Sequence, residues 1–183
     1  SYLWGVHKGM STAEKVKYFA GIIIRQENGL WNNVKNALEK EFSPIDLKSE
    51  TIPFTFTDYY EPQMGKDLLR FWIGFSGLFN RDSLPDWKIR SGKIEKTFKD
   101  SNRLRKVNID PGYLALSKVV LASTKNYGHR IYIGKGILAE IEYIYRRGDF
   151  LPMDWTYPDY RSDQALLFFK KLREIYKREL SEG

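Results

Sequence analysis

The run Lys17–Arg25, KYFAGIIIR, constrains this chain more than any other stretch. Its consecutive isoleucines beside Tyr18 and Phe19 lose freedom in a helix but pack well on a pleated surface, so it reads as a buried first strand. Asn28-Gly29 then breaks the pattern. Leu30, Val34, Leu38 and Phe42 follow at four-residue steps and share one face of a helix, which Ser43-Pro44 closes.

Alternation returns over Glu50–Thr57, with Ile52, Phe54 and Phe56 on one side and threonines on the other. Pro53 inside this strand points to an edge position or a bulge. Leu69, Phe71, Ile73 and Phe75 predict a third strand. Ser83 precedes a helix with Pro85 and Asp86 in its first turn and Trp87, Ile94 and Phe98 on its apolar side. Arg103–Ile109 predicts a strand closed by a turn at Asp110-Pro111-Gly112. Tyr113–Ser123 is assigned to a helix by its length, although its Val and Leu content also suits a strand. Arg130–Ile133 and Ile137–Arg146 around Gly134-Lys135-Gly136 form the clearest hairpin. Phe150–Tyr160 reads as an ordered aromatic loop, and Ser162 or Asp163 caps an amphipathic helix through Leu180. The expected architecture is one α+β domain over residues 16–180. Its sheet is mostly antiparallel or mixed, with helices packed on one face, and residues 1–15 form an N-terminal extension.

A length of 183 residues suits a single core, and 15% aromatic residues predict that tyrosines and phenylalanines fill much of it. The absence of cysteine removes disulfides, thiolate zinc sites and cysteine nucleophiles. It also suits a reducing compartment, so a cytoplasmic protein is expected. No apolar run reaches the roughly 18 residues of a membrane span, and no membrane partner is expected. Gly134-Lys135-Gly136 lacks the spacing of a phosphate-binding P-loop, no GxGxxG opens a helix, and no GxSxG elbow is present. The two His-x-Thr or His-x-Ser motifs of two-histidine phosphoesterases are missing too. A net charge of +7 favours anionic partners at long range.

Four polar clusters remain that a folded core does not obviously need. Asp58, Tyr59, Tyr60 and Glu61 leave the second strand, where a rigid scaffold presents side chains; the carboxylates suit acid–base work or a hard cation such as magnesium. Asn108 and Asp110 lie two apart and face the same side of their strand. Ser123–Arg130 gathers hydroxyls, Lys125, His129 and Arg130, the donor types of an anion site. Trp155, Tyr157 and Asp159 set aromatic faces around an acid. Each cluster also has a plain structural use, as a turn, a hairpin cap or a brace for the last helix.

The strings FTFTDYYEPQMG, VNIDPGYLALSKVVLASTKNYGHRIYIGKG and WTYPDYRS together resemble domain of unknown function 4416, a family of bacteria and archaea with WTYPDY as its hallmark. The resemblance covers about Val16 to Tyr176. It implies that the four clusters belong to one recurrent design, and it implies no activity.

The residues themselves favour a binding domain or enzyme for a phosphorylated ligand, a nucleotide foremost. Lys118, Thr124, Lys125, His129 and Arg130 would hold phosphate, while Tyr59, Tyr60, Trp155 or Tyr157 would stack a ring. Asp58, Glu61, Asp110 and Asp159 would orient a sugar, a water or magnesium. The first three are also the candidate metal ligands and, with His129, the candidate catalytic groups. This reading requires the clusters to meet in one pocket. The alternatives are a partner-binding or regulatory protein without catalysis, and an RNA-binding module drawn from the basic stretch Lys88–Lys106.

Overall fold

A computed structural model describes residues 14–183. The expected extension therefore lies outside the described residues except for Glu14 and Lys15, and Lys15 already belongs to the first strand. The elements run β1 (Lys15–Ile24), α1 (Leu30–Glu41), β2 (Ile45–Lys48), β3 (Ile52–Pro53), α2 (Glu61–Met64), β4 (Leu69–Phe75) and β5 (Phe79–Asn80). They continue with α3 (Leu84–Thr97), β6 (Val107–Ala115), β7 (Lys118–Ser123), β8 (Ile131–Gly134), β9 (Ile137–Arg146), β10 (Asp149–Pro152) and α4 (Asp163–Glu182). The strands form one antiparallel sheet in the order β10-β9-β7-β6-β1-β4-β2, with β3, β5 and β8 attached at its margins. This is an α+β fold with the predicted first strand inside the sheet, between β6 and β4.

Alternate residues of β1 serve two cores. Tyr18, Ala20 and Ile22 pack with Val34 and Leu38 of α1 and with Trp87 and Ile94 of α3. Phe19 packs with Trp72 and with Phe168, Phe169, Leu172 and Tyr176 of α4. Helices thus cover both faces of the sheet, which corrects the expectation of one covered face. The reason is β1 itself: it is apolar on both sides, so water must be excluded from both. Aromatic rings carry much of the packing, with Trp87 stacked between Tyr18 at 4.1 Å and Phe42 at 4.0 Å. Two of the buried hydroxyls find backbone partners: Tyr18 donates to Asn80 O at 2.9 Å and Tyr176 to Lys15 O at 2.6 Å.

The predicted helix at Tyr113–Ser123 is instead the β6–β7 hairpin, in register from Gly112↔Leu121 to Ala115↔Lys118. Both strands are buried on both faces, so no polar alternation distinguished them from a helix. Asp110-Pro111-Gly112 is no turn: it lies within β6, where Ala20 of β1 pairs with Pro111. The strand predicted from Arg103 begins only at Val107, and of Glu50–Thr57 only Ile52–Pro53 joins the sheet.

One irregularity of the sheet matters for everything below. β6 pairs with β1 from Val107 to Leu114 but with β7 only from Gly112 to Ala115, while β7 stays with β9 as far as Ser123. Past Gly112 and Leu121 the sheet splits. On the exposed edge of β6 the Ile109 N–H is taken by Glu95 Oε2 of α3 at 3.0 Å. Two residues on, on the same edge, Pro111 has no N–H to satisfy. Gly112 marks the point of departure: a Cβ there would lie 2.3 Å from Val120 O and 2.5 Å from Phe19 Cζ. Among the described residues no helix is long and apolar enough to cross a membrane.

Candidate functional site

The split opens into a cleft of about 740 Å³, within the range of small-molecule sites. One wall is the edge of β6 with Asn108 and Asp110, and the other is the end of β7 with Ser123, Thr124 and Lys125. α3 contributes Lys88, Gly92 and Glu95, and Tyr59, Tyr60, Tyr157 and Asp159 close the remaining sides. All four polar clusters therefore contribute to one cavity.

Five of the expected residues do not line it. Asp58 and Glu61 frame the short α2, with the Asp58 carbonyl accepting the Glu61 N–H at 2.9 Å. Lys118 sits at the far end of β7, opposite Ala115 and Ile144. His129 and Trp155 stand behind the wall. Their rings stack at 5.0 Å, Trp155 Nε1 donates to Ile141 O at 2.8 Å, and His129 Nε2 meets Glu140 Oε2. Among the described residues no three or more His, Cys, Asp or Glu side chains are grouped so as to hold a metal ion.

The inner walls carry paired charges. Asp110 accepts from Lys88 Nζ at 2.9 Å and from Asn108 Nδ2 at 2.8 Å, which confirms the shared side expected for Asn108 and Asp110. Burial pushes the Asp110 carboxyl up, but Lys88 and then Arg70 outweigh it and hold the group below the usual carboxylate range. Arg105 joins Glu95 at 3.1 Å, Asn108 Oδ1 at 2.9 Å and Gln63 Oε1 at 2.6 Å. Arg130 donates to Glu140 at 3.1 Å, Ser123 Oγ at 2.8 Å, Lys125 O at 2.9 Å and Tyr157 Oη at 2.8 Å. Its fork ties β7, the following loop, β9 and the Tyr157 segment together, so it shapes the wall.

Arg70 is different. It is 3% exposed and lines the cleft, with Nε only 2.7 Å from Asp159 Oδ2. That N–H does not point at the oxygen, however, so the contact is an ion pair without an aligned hydrogen bond; Nε, Nη1 and the nearby Tyr160 hydroxyl have no hydrogen-bond partner. The guanidinium lies among aromatic rings, 5.0 Å from that of Trp72 and 5.3 Å from that of Tyr160. Gly21 leaves room for this arrangement, since a Cβ there would lie 2.8 Å from Tyr160 Oη and 3.1 Å from Arg70 Nη1.

Seven cationic side chains and four carboxylates line the cleft. Arg70, Lys88, Arg105 and Arg130 each face a carboxylate. Lys93, Lys96 and Lys125 have none among the described residues, and all three are exposed. Lys125 Nζ lies over the Tyr59 ring at 4.0 Å.

Arg70 and Glu140 were not among the expected site residues. The available signal was a charge within an otherwise apolar strand, in LRFWIGF and ILAEIEYIYR. Behind Glu140, burial and then the Glu140 charge raise the Glu142 carboxyl well above its ordinary value, so that a proton it retains can bridge the pair. The family model described as Domain of unknown function (DUF4416) matches residues 14–176. No curated protein and no solved structure matches the chain.

Proposed function

The chain belongs to that family, and from the geometry of the cleft we propose that it is a small-molecule-binding domain whose ligand carries a phosphate group. The observation behind this reading is the set of lysines without acidic partners, Lys93, Lys96 and Lys125, on a cleft of ligand size. A phosphate brings close to two negative charges. Each lysine about 4 Å from one such charge contributes on the order of 1 kcal/mol in water and more where water is partly excluded, enough to favour an anion over a neutral group. Asp110, held ionised by Lys88 and Arg70, is suited to accepting hydrogen bonds and not to donating a proton. This favours binding over general-acid chemistry.

The basic stretch offers less to RNA than its composition suggests. Lys88, Arg90, Arg105 and Lys106 are each paired with a carboxylate.

A thermal-shift panel of nucleotides, sugar phosphates and a short RNA, at low and high salt, tests the proposal. A ligand at about 100 times its Kd adds about 2.7 kcal/mol, a rise of roughly 5–10 °C for a chain of this size. A rise with a phosphorylated small molecule that Lys93→Ala with Lys125→Ala diminishes is the expected result. Stabilisation by RNA alone, lost at high salt, would transfer the role to a nucleic-acid surface. No shift with any phosphorylated compound refutes the proposal.

A further inference from the structure

We infer that the cleft is zoned, with its lysine mouth taking the phosphate and its buried end taking a neutral planar ring, so that the ligand is a nucleoside phosphate and not a simple sugar phosphate. This inference rests on the reading above and adds to it the class of ligand and its orientation.

Charge balance divides the cleft. At its buried end Arg70 faces Asp159, Lys88 faces Asp110, and Arg130 faces Glu140, so the charges cancel in pairs. Arg70, Asn108, Arg130, Glu140 and Asp159 are all buried there. A second anion placed among them would leave an uncompensated charge in a poorly hydrated site, which is costly. Neutral groups that both donate and accept hydrogen bonds meet no such cost. They match what the walls hold side by side: guanidinium and ammonium donors, carboxylate acceptors, and the Asn108 amide.

The surroundings suit a flat ring. Phe54, Tyr60, Tyr157 and Tyr160 line the same cleft, with Tyr60 set edge-on to Phe54 at 5.7 Å. Aromatic walls beside a fixed donor–acceptor edge are the combination that holds a nucleobase. Arg70 supplies the second, independent sign: a buried cation lining the site whose Nε and Nη1 lack hydrogen-bond partners. Native interiors rarely leave such donors unmet without a reason, and a ring whose arrival realigns the Arg70–Asp159 pair provides one. At the mouth the balance is lost, because Lys93, Lys96 and Lys125 add charge that no carboxylate answers.

Titration calorimetry with matched compounds tests this zoning: the four common nucleoside 5′-monophosphates, their nucleosides, ribose 5-phosphate and inorganic phosphate. At least one monophosphate is expected to bind roughly 10- to 100-fold more tightly than ribose 5-phosphate, from stacking and edge recognition. Its nucleoside should bind more weakly but with little dependence on salt. Replacing Lys93, Lys96 and Lys125 together by Ala should remove the advantage of the monophosphate over its nucleoside and leave the nucleoside affinity in place. Arg70→Lys should do the reverse, lowering the preference for the ring while ribose 5-phosphate binding persists. Because Arg70 is buried, its variant is used only if its melting curve remains cooperative; the comparison of compounds on the unaltered protein decides without it. Equal affinity for ribose 5-phosphate and every monophosphate overturns the zoning and leaves the phosphate site standing. Failure of every phosphorylated compound to bind removes both.

Discussion

Gly112→Ala is the sharpest probe of how the sheet comes to split. The added methyl would sit 2.3 Å from Val120 O and 2.5 Å from Phe19 Cζ, whereas ordinary contact begins near 3.4 Å, so each neighbour must retreat about 1 Å. Neither moves easily. Val120 is held between Tyr113 and Ile141, and Phe19 is fully buried with its ring edge-on to Phe169 at 4.8 Å. Overpacking of this kind costs about 1–3 kcal/mol, and the upper end applies because a backbone carbonyl is involved. Alanine returns roughly 0.4–1 kcal/mol by restricting the unfolded chain. The net loss is therefore about 2 kcal/mol, or roughly 4–8 °C in Tm for a protein of this size. Gly92→Ala is the internal control. Gly92 lies within α3 with nothing within 4 Å of the position its Cβ would take, so helix propensity alone operates and stabilises by about 0.5–1 kcal/mol. Calorimetric melts of both variants beside the parent check the pair. A Gly112→Ala protein that melts at or above the parent temperature refutes the steric account of the strand junction. A Gly92→Ala protein that melts lower shows that the contrast does not come from contacts.

Two further outcomes concern the wall of the cleft. Glu142 is raised by burial first and by Glu140 second, so the folded protein keeps a proton that the unfolded chain releases above about pH 4.5. Its contribution is complete below that unfolded value and is lost as pH rises towards the raised folded value; urea midpoints taken at about pH 5 and about pH 8 should therefore differ less in Glu142→Gln than in the parent, and an unchanged difference counts against the pair. Arg130→Met strips a buried carboxylate of its cation and should cost about 3–5 kcal/mol, with Glu140→Gln in the same chain recovering part of the loss. A double variant as unstable as the sum of its single changes would mean that the two groups are not coupled.

Where a pattern depends only on near neighbours, the sequence was readable. Leu30, Val34 and Leu38 define α1 by spacing alone, and Phe169, Leu172 and Tyr176 do the same for α4. Where the pattern depends on a distant partner it was not. Val120 and Leu121 of β7 are buried in the cores on opposite faces of the sheet, and nothing in that apolar run announces a strand instead of a helix. Pro111 misled for a related reason. Proline usually interrupts a ladder, but here its missing N–H faces the split, where no ladder exists. The site followed the same division. Loop clusters such as Ser123–Lys125 and Tyr157–Asp159 showed themselves by residue type, and the fold brought them together. Arg70 and Glu140 needed the sheet before they could be understood, because a charge on an apolar strand gains meaning only once that strand is seen to border a cavity.

The treatment of the β6 edge has a consequence for what the protein can pair with. An exposed strand edge normally serves as a template for a foreign strand, and this is a common route to aggregation. Here the Ile109 N–H is already engaged by Glu95, and Pro111 on the same edge offers none. An extended peptide entering the split finds two successive donor positions closed to it before any side chain is tested. The β6 side of the split thus offers a neighbouring chain no ladder to extend, and on the proposed reading a small ligand is not subject to that restriction, so selection between the two would begin in the backbone.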